Sequence, residues 1–144
     1  MKRLILFLCI CAFISCKKDA AKDITKYRWV LDKAVVSPAM TVGNKTTTDY
    51  KSINGPHSCL ANNYTYVFLT TGIYQVSSNG ALCDMVANSS SQKWTKEGDK
   101  IILANGYGRN SEATVESNKM EQTATFSKDG INYTVKYTYK AKSK

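Results

Sequence analysis

The stretch that decides the fold is residues 131–140, INYTVKYTYK, close to the C-terminus of the 144-residue chain. Apolar and aromatic residues occupy every second position, and polar or basic residues occupy the positions between them. Because the side chains of a β-strand point alternately to opposite faces, this pattern predicts a strand with one face on a core and the other in water. The predicted core face comprises Ile131, Tyr133, Val135, Tyr137 and Tyr139.

Shorter segments of β-rich composition precede this strand, and no stretch of eleven or more residues keeps the apolar spacing of a helix. Glycine-containing turns separate several of them. Seven or eight such strands predict an all-β fold. They favour a closed barrel over an open sheet with exposed edges, namely an antiparallel up-and-down β-barrel of about eight strands. The segments are 27–31, 64–70, 73–76, 92–95, 101–103, 112–117 and 121–126.

Residues 37–63 depart from this pattern. They contain both prolines of the chain, three consecutive threonines and little alternation. We expect a long crossover here, with one helical turn near residues 48–52. A loop of that length in a compact domain is usually functional or held in place.

The N-terminus has the composition of a targeting segment. Lys2 and Arg3 precede an unbroken apolar run at residues 4–14. Eleven helical residues reach about 16 Å, whereas the hydrocarbon core of a bilayer is roughly 30 Å thick. Residues 1–15 are therefore predicted to be a signal peptide and not a membrane-spanning helix.

Residues 13–16, FISC, resemble the lipobox of bacterial lipoproteins. In that family the cysteine thiol receives a diacylglyceryl group, the chain is cut before the cysteine, and the new amino group is acylated. The resemblance implies that Cys16 is lipidated and anchors the protein in the cell envelope. The expected membrane is the outer membrane of a Gram-negative bacterium, and the side of it that the domain faces stays open. The alternative is ordinary cleavage near Ala12 or Ser15. Residues 16–25 are then the lipidated cysteine and a polar tether, and residues 26–144 are the barrel domain.

The five cysteines divide according to this processing. Cys9 and Cys11 leave with the signal peptide and Cys16 takes the lipid, so Cys59 and Cys83 remain for an oxidising compartment. We predict that these two form a disulfide. A zinc site is excluded because neither a Cys-x-x-Cys motif nor a pair of histidines accompanies them.

The order of landmarks from residue 24 to residue 140 resembles the lipocalin-like domain of small Gram-negative lipoproteins. The landmarks are residues 29–31, 49–50, 62–68, 71–74, 94–95 and 98–103, together with the two cysteines. The resemblance implies a lipocalin-like barrel, and it carries no enzymatic activity over to particular residues.

Aromatic residues on the strands are the candidate ligand site. An eight-stranded barrel has an interior that side chains fill or that holds one small apolar ligand, and both interpretations stay open here. The predicted ligand-binding residues are Trp29, Tyr66, Phe68, Tyr74, Trp94, Tyr133 and Tyr137.

Motifs for catalysis are weak, so we predict a protein that is not an enzyme and has no cofactor or metal. The single histidine, His57, lies in the crossover without a motif that would supply a nucleophile. The acidic residues are scattered, mostly beside turns, and the glycines at 106 and 108 lack the helix that completes a phosphate loop.

Without Lys2 and Arg3 the chain has 18 basic and 11 acidic residues, and lysines 136, 140, 142 and 144 crowd its C-terminal end. This charge indicates either attraction to an anionic membrane surface or glycan, or a solvated strand face. Nucleic acid is excluded as a partner by the compartment.

The expected function is binding of a small apolar ligand or an envelope component. The alternative is a protein-interaction module that uses the rim loops at residues 37–57 and 105–111.

Overall fold

The computed structural model describes residues 20–53, 55–80, 83 and 90–144. The predicted signal peptide and the predicted lipidation site, Cys16, therefore lie outside the described residues. In the described part of the chain, no helix is long and apolar enough to cross a membrane. After a 3-10 helix (Ile24–Lys26), the elements are β1 (Tyr27–Val42), β2 (Lys45–Asp49), α1 (Tyr50–Ile53), β3 (Thr65–Phe68), β4 (Tyr74–Ser77), β5 (Lys93–Glu97), β6 (Lys100–Ala104), β7 (Asn110–Glu116), β8 (Lys119–Lys128) and β9 (Ile131–Ser143).

The strands form a nearly closed antiparallel barrel. Within the described residues, eight of them follow one another around it in the order β1-β3-β4-β5-β6-β7-β8-β9, and β9 pairs back with β1. The seam between β4 and β5 is narrow. It consists of a bridge between Ile73 and Lys93 and of hydrogen bonds such as that from the Tyr74 amide to the Gln92 carbonyl. The predicted up-and-down barrel of about eight strands is confirmed.

The apolar face of β9 lies on the core, as its alternation predicts. Tyr133, Val135 and Tyr139 are buried, and Tyr137 is half-buried. Ile131 is the exception among the five, because it lies at the hairpin turn opposite Lys128 and is 47% exposed. The strand end extends beyond the core there.

The prediction of a long crossover from residue 37 was wrong. β1 continues through Val42 and forms a hairpin with β2, while the helical turn predicted nearby is present as α1. The pairing of β1 with β2 is interrupted between Val35 and Met40, and Pro38 lies in this interruption, where it does not need to donate to the ladder. The three consecutive threonines, residues 46–48, belong to β2, which suits their β-branched side chains.

The barrel has two distinct ends. At the end where β1 begins, which we call the N-terminal end, the 3-10 helix covers the core: Ile24 is buried, and the Trp29 indole donates a hydrogen bond of 3.2 Å to its carbonyl. The end towards which β1 runs, called the cap end, carries α1 and the segment 55–61. Tyr50 and Leu60 from these two elements pack against the core.

Candidate functional site

Five of the seven predicted ligand-binding residues lie together in the barrel interior towards the N-terminal end. Tyr66 stacks on Phe68 with ring centroids 6.2 Å apart and packs 5.9 Å from Tyr74, while Phe68 meets Trp94 edge to face at 5.5 Å. Trp29 is fully buried in the same core. These aromatic side chains fill this part of the interior by contacting one another. Their assignment to a ligand site stays a prediction.

The other two predicted residues belong to a second aromatic group at the cap end. Tyr133 stacks on Phe126 at 5.4 Å, and Tyr137 meets Tyr50 edge to face at 6.2 Å. Tyr50 also lies 5.9 Å from Phe126. Since Tyr50, Phe126 and Tyr137 are only half-buried, these rings line the more accessible end of the interior. We call these four residues the cap cluster.

Sequence reasoning had not assigned Tyr50 to the candidate site. It stands on α1, whose start is held by the Asp49 carboxylate accepting a hydrogen bond of 3.1 Å from the Lys51 amide. The Lys51 ammonium in turn donates to the Asp32 carbonyl of β1 at 3.3 Å. An aspartate directly before a short helical turn is a capping signal. The sequence signal that could have assigned Tyr50 to the site is therefore an aromatic residue directly after such an aspartate.

Buried phenols give the interior a polar component. The hydroxyl groups of Tyr64 and Tyr66 are hydrogen-bonded to each other. Burial raises the pKa of Tyr66 and of Tyr139 well above the ordinary tyrosine value. Burial, and next the neighbouring Tyr50, raises the pKa of Tyr137 to about 12. These phenols therefore keep their protons, and remain neutral hydrogen-bonding groups, to a higher pH than an exposed tyrosine does.

The raised pKa values predict a loss of stability in alkaline solution. An unfolded tyrosine ionises near pH 10, whereas Tyr137 in the barrel ionises near pH 12. The folded state holds the proton in this interval, so its stability is complete below about pH 10 and falls as the pH rises towards about 12. Urea unfolding between pH 9 and 12 should show this fall and Tyr137→Phe should lessen it, whereas a flat profile would contradict the assignment.

The predicted disulfide between Cys59 and Cys83 is present, with the two Cα atoms 5.2 Å apart. The bonded segment is also held by Ser78, whose hydroxyl lies 2.8 Å from the Cys59 carbonyl. Gly80 packs so closely that an added Cβ would come within 2.6 Å of the Ser58 carbonyl. Together these contacts fix residues 55–61 beside the end of β4.

The second half of the predicted tether lies against the N-terminal end of the barrel. Ala20 is fully buried and its amide donates to the Asn118 side chain at 3.3 Å. The Lys96 ammonium donates to the Ala21 carbonyl at 2.6 Å. Asp23 caps the 3-10 helix by accepting from the Thr25 amide at 3.1 Å. Only residues 17–19 then separate Cys16 from the packed chain.

The candidates for catalysis stay apart from one another. His57 is exposed in the turn before Cys59, and Gly106 and Gly108 lie in an exposed turn between β6 and β7. Over the described ranges 20–53, 55–80, 83 and 90–144, no group of three or more histidine, cysteine or acidic residues could hold a metal ion.

The lysines of β9 are partly neutralised by acidic neighbours. The Lys136 ammonium lies 2.9 Å from Glu121, and the Lys140 ammonium lies 3.2 Å from Asp32. Hydrogen bonds from Lys136 and Lys119 lower the pKa of Glu121. These contacts favour the interpretation of this part of β9 as a solvated strand face.

Comparison of the chain with protein-family models, with curated proteins and with solved structures found no match.

Proposed function

We propose that this protein is a lipid-anchored, non-enzymatic binding protein of the Gram-negative outer membrane, with a lipocalin-like barrel attached through Cys16. The observation that carries the proposal is the packing of residues 20–25 on the N-terminal end of the barrel. Residues 17–19 span at most about 10 Å at roughly 3.3 Å each. A lipid on Cys16 would therefore hold the N-terminal end close to the membrane surface, with the cap end pointing away from it.

The binding surface in this proposal is the cap cluster, because it lies opposite the anchor and three of its four rings, those of Tyr50, Phe126 and Tyr137, are only half-buried. Its outer member, Tyr50, stands on the four-residue helix α1. A short element of this kind is held by few contacts, so a small apolar ligand or the apolar part of an envelope component can displace it. Displacing the rings around Phe68 would instead disrupt the buried core.

Native mass spectrometry of the protein purified from its own host tests the binding function. The expected result is a retained mass that Tyr137→Ala and Tyr50→Ala both remove. Tyr107→Ala is the matched control, since Tyr107 is 90% exposed in the turn between β6 and β7. If the unaltered protein carries no added mass, or the control loses the mass as readily, the cap cluster is not the binding surface.

Replacing Cys16 by serine should move the protein from the membrane fraction to the soluble fraction. One myristoyl chain gives only marginal membrane binding, with an association constant of about 10⁴ M⁻¹, whereas three acyl chains anchor a protein stably. Ultracentrifugation and immunoblotting measure the distribution. Ser15→Ala is the matched control, because it keeps a small residue before the cysteine and should leave the protein in the membrane. Unchanged sedimentation of the Cys16→Ser variant would contradict the anchor.

One observation favours the alternative function, a protein-interaction module. Among the described residues β2 pairs only with β1, so its second edge is open to another strand. The hairpin also exposes Val35 and Val42, which are 47% and 41% accessible. An extended segment of a partner could add to such an edge. In the native mass spectrum, this function would give a retained polypeptide and not a small molecule.

A further inference from the structure

The strand pairing sets two basic residues against each other on the outer face of the barrel. Arg28 of β1 lies directly opposite Lys142 of β9. Like charges in this arrangement destabilise a sheet. Within the part of the chain that the structure describes, neither residue has an ion pair, although nearby lysines do: Lys140 pairs with Asp32, and Lys119 pairs with Glu121.

The two unpaired cations border a hollow of about 370 Å³ on the outer face of β9, β1, β3 and β4. This volume lies within the range of small-molecule sites, about 300–1,000 Å³. Two cross-strand rows of the sheet underlie it, one through residues 142, 28 and 67 and one through residues 30, 65 and 77. The lining residues are Arg28, Val30, Asn63, Thr65, Val67, Ser77, Asn79 and Lys142.

The chemistry of the lining differs from one side of the hollow to the other. The cations stand on β1 and β9, while Ser77 and Asn79 contribute a hydroxyl and an amide on the β4 side. Thr65 donates its hydroxyl hydrogen to the Asn63 carbonyl at 2.6 Å, so its oxygen can still accept a hydrogen bond. The side chains of Val30 and Val67 lie between the two sides and form an apolar floor.

We propose that this hollow binds a sugar that carries a single phosphate or carboxylate group. Arg28 and Lys142 hold the anionic group, since an arginine fork and an ammonium both suit phosphate and carboxylate oxygens. The amides and hydroxyls of the opposite side bond the sugar hydroxyls, and the carbon-bound hydrogens of the ring rest on the valine floor. Binding of the anion relieves the repulsion between the two cations. This site is independent of the lipid anchor and of the cap cluster.

Isothermal titration calorimetry with glucose 6-phosphate tests the proposal on the protein expressed with its own signal sequence and purified in detergent. The expected dissociation constant is below about 1 mM, with weaker binding of inorganic phosphate and of glucose. Arg28→Gln and Lys142→Gln should each raise it at least about tenfold, because each removes a charged hydrogen bond to the ligand. Lys119→Gln, which removes an ion-paired lysine from the outer face of β8, should leave it unchanged.

Thermal unfolding without ligand distinguishes a binding role from a structural one. Because Arg28 and Lys142 repel each other, either glutamine variant should unfold at the same temperature as the unaltered protein or a higher one. Three results would overturn the proposal: no heat of binding with glucose 6-phosphate, equal affinity for glucose or for inorganic phosphate, or equal weakening by Lys119→Gln.

Discussion

Replacing Trp29 by alanine is expected to lower the free energy of unfolding by about 3–5 kcal/mol, the usual cost of truncating a buried tryptophan. Trp29 is completely buried, and its indole donates to the Ile24 carbonyl at 3.2 Å. The substitution would leave a cavity beneath the 3-10 helix and an unpaired carbonyl. Since small domains are stable by only about 5–15 kcal/mol, this loss is a large fraction of the total stability.

Urea unfolding followed by circular dichroism measures this loss, and two further variants separate its causes. Trp29→Phe keeps an aromatic ring but removes the indole donor, so it should cost less than Trp29→Ala. Trp94→Ala should also cost less, because Trp94 is only half-buried. A loss below about 1 kcal/mol for Trp29→Ala would show that the N-terminal end is not packed as described.

Replacing both Cys59 and Cys83 by serine is expected to lower the free energy of unfolding by about 3 kcal/mol. The bond closes a loop between residues 24 positions apart, and opening it restores conformational freedom to the unfolded chain. The change should loosen residues 55–61 first, because the disulfide is their covalent link to the rest of the fold and only non-covalent contacts, such as those of the Ser78 hydroxyl and of Gly80, then remain.

A reducing agent supplies the matched control for the disulfide prediction. Urea unfolding of the unaltered protein in dithiothreitol should give the same stability as the double serine variant, and dithiothreitol should not affect that variant. If reduction leaves the stability of the unaltered protein unchanged, the bond either does not form or does not constrain the unfolded chain.

The barrel could be predicted from the sequence because its main signals are local. The alternation in β9 and the glycine turn at residue 130 needed no knowledge of distant residues. The hairpin of β1 and β2 could not be predicted in this way. Pro38 and weak alternation indicated a loop, and only the interruption in the pairing with β2 allows that proline to lie within a strand.

The candidate sites depended on long-range pairing, which the sequence does not reveal. The aromatic residues were predicted to be interior, but their division into a filled core and a cap cluster depends on where Tyr50 packs. The opposition of Arg28 and Lys142 depends on the register of the first strand with the last. Similarly, the polar composition of residues 16–25 suggested a free tether, whereas Ala20 is buried through a contact with Asn118.

Intact mass spectrometry of the protein extracted from host membranes tests the lipid anchor most directly. The account predicts a chain that begins at Cys16 and whose first residue carries the added mass of one glyceryl group and three acyl chains. A chain that begins at another residue, or one that begins at Cys16 with no added mass, would contradict it.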